Sequence, residues 1–546
     1  MWRKTDISFT RQSVHHNIFF LLLAVLVVAM PTSKFLMSAA MIFLAANWLV
    51  EGRFREKWYL AKSNKLLHAF VALYAVHAIW CLWCLFSSTW DWSYALDDLR
   101  KKLPLIAIPI VVLTSTFLDR RKIANLLQIF CLTVAVASAI GIARYLCNPD
   151  IEYRNIFPHF SHIRFSLNVC MAIVILMYAI YRTFKYSCLK LRLLSIAILS
   201  TLEILYSLIL LLLQSYTAFV VLAITFVVLF GWVAIKRKSQ PRYAAVFFAL
   251  LALVTVGVWL CFSHYRSNYY NLQELSLKPL ETTTAQGNTY THANDGFIEM
   301  GNYINNYVCR EELAHEWAKR SALHIDSLTP NSFAVYPTLV RYLNAKGLTK
   351  DSAGVSQLQQ SDIKLIEQGV ANPYYTRKFD VGKMLYRMFF EFDSYRRDGN
   401  VRNSSLLQRF ELWQNGWTVF AAHPVFGVGT GNVANTFELN LFKRKSPLQG
   451  LGMRTHNQYI TFLLTFGVVG FSVIIFFFVR AMRRQKLLSS ALFTACLCIV
   501  LISFVSEDTL ETEAGVVFST LMPVLLALWA KYYSGDGGEG SSDVLY

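Results

Sequence analysis

His456 is the residue in this sequence best placed to do chemistry. It stands in RTHNQYITFLLTFGVVG, residues 454–470, where a long polar segment gives way to an apolar run. Thr455 and Gln458 form a T-x-x-Q pattern, a helix start whose hydroxyl and amide satisfy orphan backbone N–H groups. That spacing predicts His456 and Asn457 in the first turn of the helix. The positive end of a helix disfavours a proton on imidazole and welcomes anions. The chemistry on offer is proton abstraction by a neutral imidazole beside a bound phosphate. Guanidinium groups, with their planar pairs of donors, would supply the phosphate's partners. Arg409 lies on the flank of an apolar stripe, Leu406, Phe410, Trp413, Trp417 and Phe420, that recurs at helical spacing. Arg164 opens an apolar helix after FPHFSH, in the company of His159 and His162. Each arginine also has a plainer reading, as a side chain snorkelling from a membrane boundary.

The elements that must position these groups are membrane helices. The chain is 55% hydrophobic and 15% aromatic, which sets it apart from ordinary soluble proteins. About twelve apolar runs recur, each near the length of about 20 residues that crosses a bilayer. They cover 16–32, 34–50, 66–87, 103–118, 123–146, 165–181, 192–213, 216–235, 243–263, 457–479, 487–505 and 514–531. The first follows a charged start and has the look of a signal peptide. A second span comes at once and no small-residue cleavage site is convincing, so it reads as a retained helix.

Lysine and arginine in the connectors give the orientation. With the N-terminus inside, the inner segments include EGRFREKWYLAKSNK, DRRK, KRKSQPR and VRAMRRQK, all basic. Outer connectors such as STWDWSYALDD and SEDTLETE are neutral or acidic, apart from the cluster Arg100-Lys101-Lys102, which reads as an interfacial anchor. The formal charge of +18 is largely this inner-face bias and gives little support to nucleic-acid binding. Ten scattered cysteines make no disulfide framework. His315-Glu316 resembles the start of a zinc-protease motif, but Lys319 stands where the second histidine belongs, so no metal site is expected.

These readings give an all-α polytopic membrane protein of about twelve transmembrane helices, with both termini cytoplasmic. Residues 1–263 carry helices one to nine, and 264–455 form one large, mostly helical outer loop domain between helices nine and ten. That cap domain ends in a helix at 404–422 that lies in the membrane interface with its aromatics down. Residues 456–532 carry helices ten to twelve, and 533–546 form a Gly/Ser-rich, disordered tail. Within the cap, helical patterns run over 306–324, 333–346 and 361–371. Gly427, Gly429 and Gly431 of GVGTG lack the strand that a nucleotide loop requires, so tight turning or close backbone approach is expected there. Gly467 and Gly470 share a helix face and suit close helix packing. Glu507, Asp508, Glu511 and Glu513 could orient a histidine or a sugar hydroxyl. A solvated turn is the favoured reading of that connector.

The motifs R-F-E-L-W-x3-W, H-P-V-F-G-V-G-T-G and H-N-x9-G-x-x-G resemble those of the O-antigen ligase and polymerase superfamily of bacterial envelopes. The resemblance covers about 402–480 in motif and most of the chain in span layout. It implies transfer of a glycan from an undecaprenyl-diphosphate carrier to an acceptor hydroxyl, without nucleotide or metal cofactor. It places the protein in the bacterial inner membrane, with the site facing the periplasm. The partners would be the lipid-linked donor, a lipid A–core or other glycolipid acceptor, and the bilayer. Carried over, His456 would be the base and Arg409 a diphosphate ligand, with Asn457 and His162 supporting. The family's second arginine falls where this chain reads Ser215-Tyr216, which makes Tyr216 a supporting residue and Arg164 the preferred second diphosphate ligand. Ligase is the leading reading; polymerase and protein O-oligosaccharyltransferase keep the same donor chemistry. A transporter or flippase suits twelve spans, but the halves show no repeat.

Overall fold

A computed structural model describes residues 11–83, 91–148, 155–157, 160–186, 189–236, 240–293, 295–377, 380–399, 401 and 404–535. The chain is mostly helical. It opens with α1 (Arg11–Ala29), α2 (Lys34–Glu51), α3 (Phe54–Ser63), α4 (Lys65–Trp83), α5 (Trp92–Lys102) and α6 (Pro104–Leu113). Then come α7 (Arg120–Cys147), α8 (His162–Tyr186), α9 (Leu189–Leu212), α10 (Tyr216–Lys236) and α11 (Pro241–Tyr270). Short polar side chains cap several starts by accepting a free backbone N–H. Asp91 accepts from Tyr94 at 3.0 Å and Asp119 from Lys122 at 2.7 Å.

Residues Phe248–Gln408 form a compact unit of their own. It holds the end of α11, α12 (Glu274–Leu277), α13 (Arg310–Arg320), α14 (Val335–Ala345), α15 (Ser352–Ser356), α16 (Gln360–Glu367) and α17 (Val381–Asp398). The helical patterns expected at 306–324, 333–346 and 361–371 fold as α13, α14 and α16. Trp317, Leu339, Leu343, Val355 and Ile363 make its core. The strands β1 (Ile298–Glu299) and β2 (Asn302–Tyr303) pair antiparallel around Met300-Gly301, both at positive φ, as a tight hairpin requires. Glu299 of β1 is buried and takes two bonds of 2.8 Å from Arg341.

The other unit joins the N-terminal helices to α18 (Ser405–Ala422), α19 (Val433–Lys443), α20 (Gln458–Arg484), α21 (Ala491–Ser506) and α22 (Glu513–Gly535), from Arg409 onward. Its core runs through α1, α4, α7, α8, α20, α21 and α22. The span of α22 is 89% buried, which makes it the innermost helix of the bundle. Among the described residues ten helices are long and apolar enough to cross a membrane. Two expected spans are shorter: α6 has 10 residues and α21 has 16, against the roughly 20 that a bilayer needs. Pro104 starts α6, and Thr114 and Ser115 end it by turning their hydroxyls back onto the carbonyls of Ile110 and Val111.

One helix is broken, and the break is built. At Gly467 the backbone of α20 takes φ 62°, ψ −170°, a conformation open to glycine alone. The freed N–H groups of Val468 and Val469 donate to the carbonyls of Pro424 and Val425, at 2.9 and 3.1 Å. In return Val428 and Gly429 donate to the carbonyls of Leu464 and Thr465, at 2.8 and 2.9 Å. A broken helix among apolar side chains must find such partners, since no water is there to replace them. The approach leaves no room for side chains. A Cβ on Gly427 would lie 2.4 Å from Thr465, and one on Gly467 would lie 2.3 Å from the Val425 carbonyl. The GVGTG stretch therefore approaches protein backbone. Gly470 packs against Trp80, as its expected role in close helix packing requires, whereas Gly467 is a kink.

Candidate functional site

The start of α20 corrects the expected cap. Asn457, and not Thr455, is the capping residue: its side chain accepts from the N–H groups of Tyr459 and Ile460 at 3.0 and 3.1 Å. Two cap-forming residues stand two positions apart, and the one that adjoins the helix takes the amides. His456 thus precedes the helix, with a left-handed backbone at φ 50°. The dipole argument for a first-turn histidine does not apply to it. Gln458 turns inward to accept from Leu510 N at 2.8 Å. Thr455 is buried, and its hydroxyl lies 2.6 Å from that of Thr461.

What holds His456 is the connector between α21 and α22. The Asp508 carboxylate accepts from His456 N at 2.8 Å on one oxygen. Its other oxygen accepts from the hydroxyls of Thr455 and Thr461, at 2.9 and 2.7 Å. Glu507 stands beside it. One oxygen accepts from Arg409 Nη2 at 2.9 Å, and the other lies 3.9 Å from His456 Nδ1. Burial pushes the Glu507 carboxyl up, but His456, Arg164 and Arg409 outweigh it and leave its pKa below the usual glutamate range. The imidazole itself is 40% exposed. A Nδ1–H turned toward Glu507 leaves the Nε2 lone pair free to take a proton.

The favoured reading of this connector as a solvated turn is therefore wrong. Glu507, Asp508 and Glu511 are all buried, and Glu513 accepts from Ser38 at 2.6 Å. Glu511 takes Lys102 on one oxygen and Arg454 on the other, each at 2.9 Å. Lys102 also pairs with Asp98, so it is the buried centre of an ion network rather than an interfacial anchor. A small cavity of about 10 Å³, room for one water, lies beside this network. His77, Tyr94, Thr430, Thr465 and Phe466 are among its walls.

Arg164 lies in the first turn of α8 and is 8% exposed. Its fork donates to Thr509 Oγ1 and to the Asp508 carbonyl, both at 3.1 Å, so it clasps the same connector. Arg409 lies near the start of α18, and its Nε is buried with no hydrogen-bond partner among the described residues. On the same helix Phe410 and Trp417 are exposed, while Leu412, Asn415 and Val419 face inward. Gly416 lets α18 approach α20, since a Cβ there would meet Ile460 at 2.6 Å. The fold thus brings together His456, Arg409 and Arg164 around residues 507–509. Asn457 serves as the helix cap. His162 is the first residue of α8 and partly buried, two positions before Arg164. Tyr216 begins α10; its side chain lies outside the described residues, as does His159. Sequence reasoning offered Glu507 and Asp508 as groups that could orient a histidine but favoured a solvated turn. The available signal was four carboxylates set between two apolar helices, where an unpaired charge is costly.

Residues 369–475 match the family described as O-antigen ligase. That stretch takes in Arg409, the loop that meets the α20 break, His456 and both glycines of α20. A protein of Haemophilus influenzae is 25% identical over 172 residues. Those residues are 29% of this chain, and the match spans 42% of the relative's own length. This chain carries a segment that matches the O-antigen ligase family and holds Arg409 and His456, and among the described residues it has ten helices long and apolar enough to cross a membrane.

Proposed function

We infer that this protein transfers a glycan from a polyprenyl diphosphate carrier to a sugar hydroxyl, with lipid A–core as the acceptor, at the periplasmic face of the bacterial inner membrane. One observation carries the reading: a single buried carboxylate, Glu507, holds a guanidinium on one oxygen and faces an imidazole with the other. A proton acceptor and a diphosphate ligand are thereby kept within one side chain's reach of each other. In the reaction the acceptor hydroxyl gives its proton to His456 Nε2, and its oxygen forms the new bond to the sugar's anomeric carbon. The bond from that carbon to the carrier's phosphate breaks, and its electron pair leaves with the diphosphate.

The leaving group is already good, so the protein must position two lipids, neutralise charge and take one proton. Arg409 is the direct ligand, with an unmet donor. Arg164, whose fork is occupied by the connector, contributes its charge and the connector's placement. The exposed aromatics of α18 would seat that helix among lipid head groups, where both substrates present theirs. About twelve crossings with both termini cytoplasmic suit the basic connectors, with α6 and α21 as the short members. The test uses proteoliposomes with a lipid-diphosphate glycan donor and, in turn, lipid A–core, a second lipid-linked repeat and a protein acceptor. Transfer to lipid A–core that is lost in Arg409→Ala is expected. Transfer only to a second repeat would make the protein a polymerase, and unaltered transfer by Arg409→Ala would defeat the assignment.

A further inference from the structure

We propose that Glu507 is a displaceable stand-in for the donor's phosphate: it occupies Arg409 while the site is empty and passes to His456 when the donor arrives. The proposal rests on the transfer reaction inferred above. Three observations carry it.

The bond between Glu507 and Arg409 is half made. A guanidinium offers five donors and a carboxylate can take two of them side by side. Here a single Nη2 bond of 2.9 Å is formed, while Nε of Arg409 stays buried without a partner among the described residues. A buried donor left unmet costs free energy, and a phosphate has the additional oxygens to meet it.

Glu507 also has somewhere to go. Its second oxygen stands 3.9 Å from His456 Nδ1, beyond a hydrogen bond and about 1 Å from making one. Its backbone is fixed, with the N–H donating to Ser503 O at 3.0 Å, so only the side chain has to turn. Its neighbour is not available for the same task. The Asp508 carboxylate is already taken by two hydroxyls and the His456 N–H.

The exchange has a chemical consequence. Once a diphosphate takes Arg409, Glu507 closes on Nδ1–H, fixes the tautomer with Nε2 open, and stabilises the imidazolium that forms when the acceptor's proton arrives. This is the second-group logic that orients a catalytic histidine. The base is thereby armed by the donor, and acceptor hydroxyls that arrive first meet a weaker base. Glu507 is a positioning residue on this account; it touches neither sugar.

Glu507→Gln separates this from a structural role. Glutamine keeps an acceptor for Arg409 but carries no charge to compete with a diphosphate or to stabilise imidazolium. The expected result in proteoliposomes is a donor KM lowered about three- to tenfold together with a kcat lowered about ten- to a hundredfold. Inorganic diphosphate should inhibit the variant at correspondingly lower concentration than the wild type. Glu507→Asp, charged but too short to serve both partners, should recover part of the kcat without the tighter donor binding. A donor KM unchanged or raised in Glu507→Gln overturns the proposal, whatever happens to kcat. A wild type that turns over no lipid-diphosphate donor overturns the reaction as well, so the two failures are told apart.

Discussion

Asp508 should matter above all for where it puts His456. The left-handed backbone of His456 costs about 1–2 kcal/mol in a residue with a Cβ. The bond from its N–H to the Asp508 carboxylate, 2.8 Å long, is worth about 1.5–3 kcal/mol as a bond to a charged group. With the bond present, the strained conformer wins by about 1 kcal/mol. Without it the relaxed conformer is favoured by about 1–2 kcal/mol, leaving roughly a tenth of the molecules with a placed imidazole. Misplacement in the remainder costs up to about a hundredfold in rate. Asp508→Ala should therefore lower kcat about tenfold with little change in donor KM. Asp508→Asn can turn its carbonyl to the His456 N–H and its amide to the hydroxyls of Thr455 and Thr461, so it should stay within about threefold of wild type. The assay is initial-rate glycan transfer in proteoliposomes, with thermal melting of each variant in detergent as the folding control. An alanine variant at wild-type rate would refute the reasoning, and so would an asparagine variant as slow as the alanine.

Three further outcomes follow from the geometry. Gly467→Ala should fail to give a folded protein by size-exclusion in detergent, because its Cβ would sit 2.3 Å from the Val425 carbonyl and the pair φ 62°, ψ −170° suits only glycine; a monodisperse variant would contradict the account of the helix break. Lys102→Met leaves Asp98 and Glu511 without their shared cation and should destabilise the bundle by about 3–5 kcal/mol, read as a lower melting temperature. Burial raises the Glu312 pKa, but bonds from Thr284, Asn288 and Ser352 outweigh it and bring it down to about 2 from an ordinary 4.5. A carboxyl depressed in this way stabilises the folded state above its unfolded pKa and loses that contribution as pH falls from 4.5 toward 2. Hydrogen-exchange protection of α13 should fall over that interval, and Glu312→Gln should remove most of the pH dependence.

The helices and the candidate base were legible because both are written locally. Apolar runs of near-bilayer length need no partner to be recognised, and over the described residues all twelve are built on helices, though α6 and α21 are short. His456 at the mouth of an apolar run and Arg409 on the flank of an aromatic stripe are likewise local patterns. The cap at Asn457 was missed because Thr455 offers an equally good side chain two residues earlier, and only the third dimension chooses. The connector was misread for a different reason. Glu507 and Asp508 meet Arg409, Arg164 and His456 across separations of 98, 344 and 52 residues, and nothing at either end announces the other. The glycine pattern at 467 and 470 signalled close approach, but it could not say that 424–429 supplies the approaching backbone.

The account turns on the imidazole of His456 taking the acceptor's proton, and its most direct measurement is single-turnover transfer by His456→Ala at saturating donor and acceptor. A positioned general base contributes about 10²–10⁴-fold. The variant should be slower by a factor in that range while binding the lipid-diphosphate donor as tightly as the wild type. A single-turnover rate within threefold of wild type would show that the proton goes elsewhere.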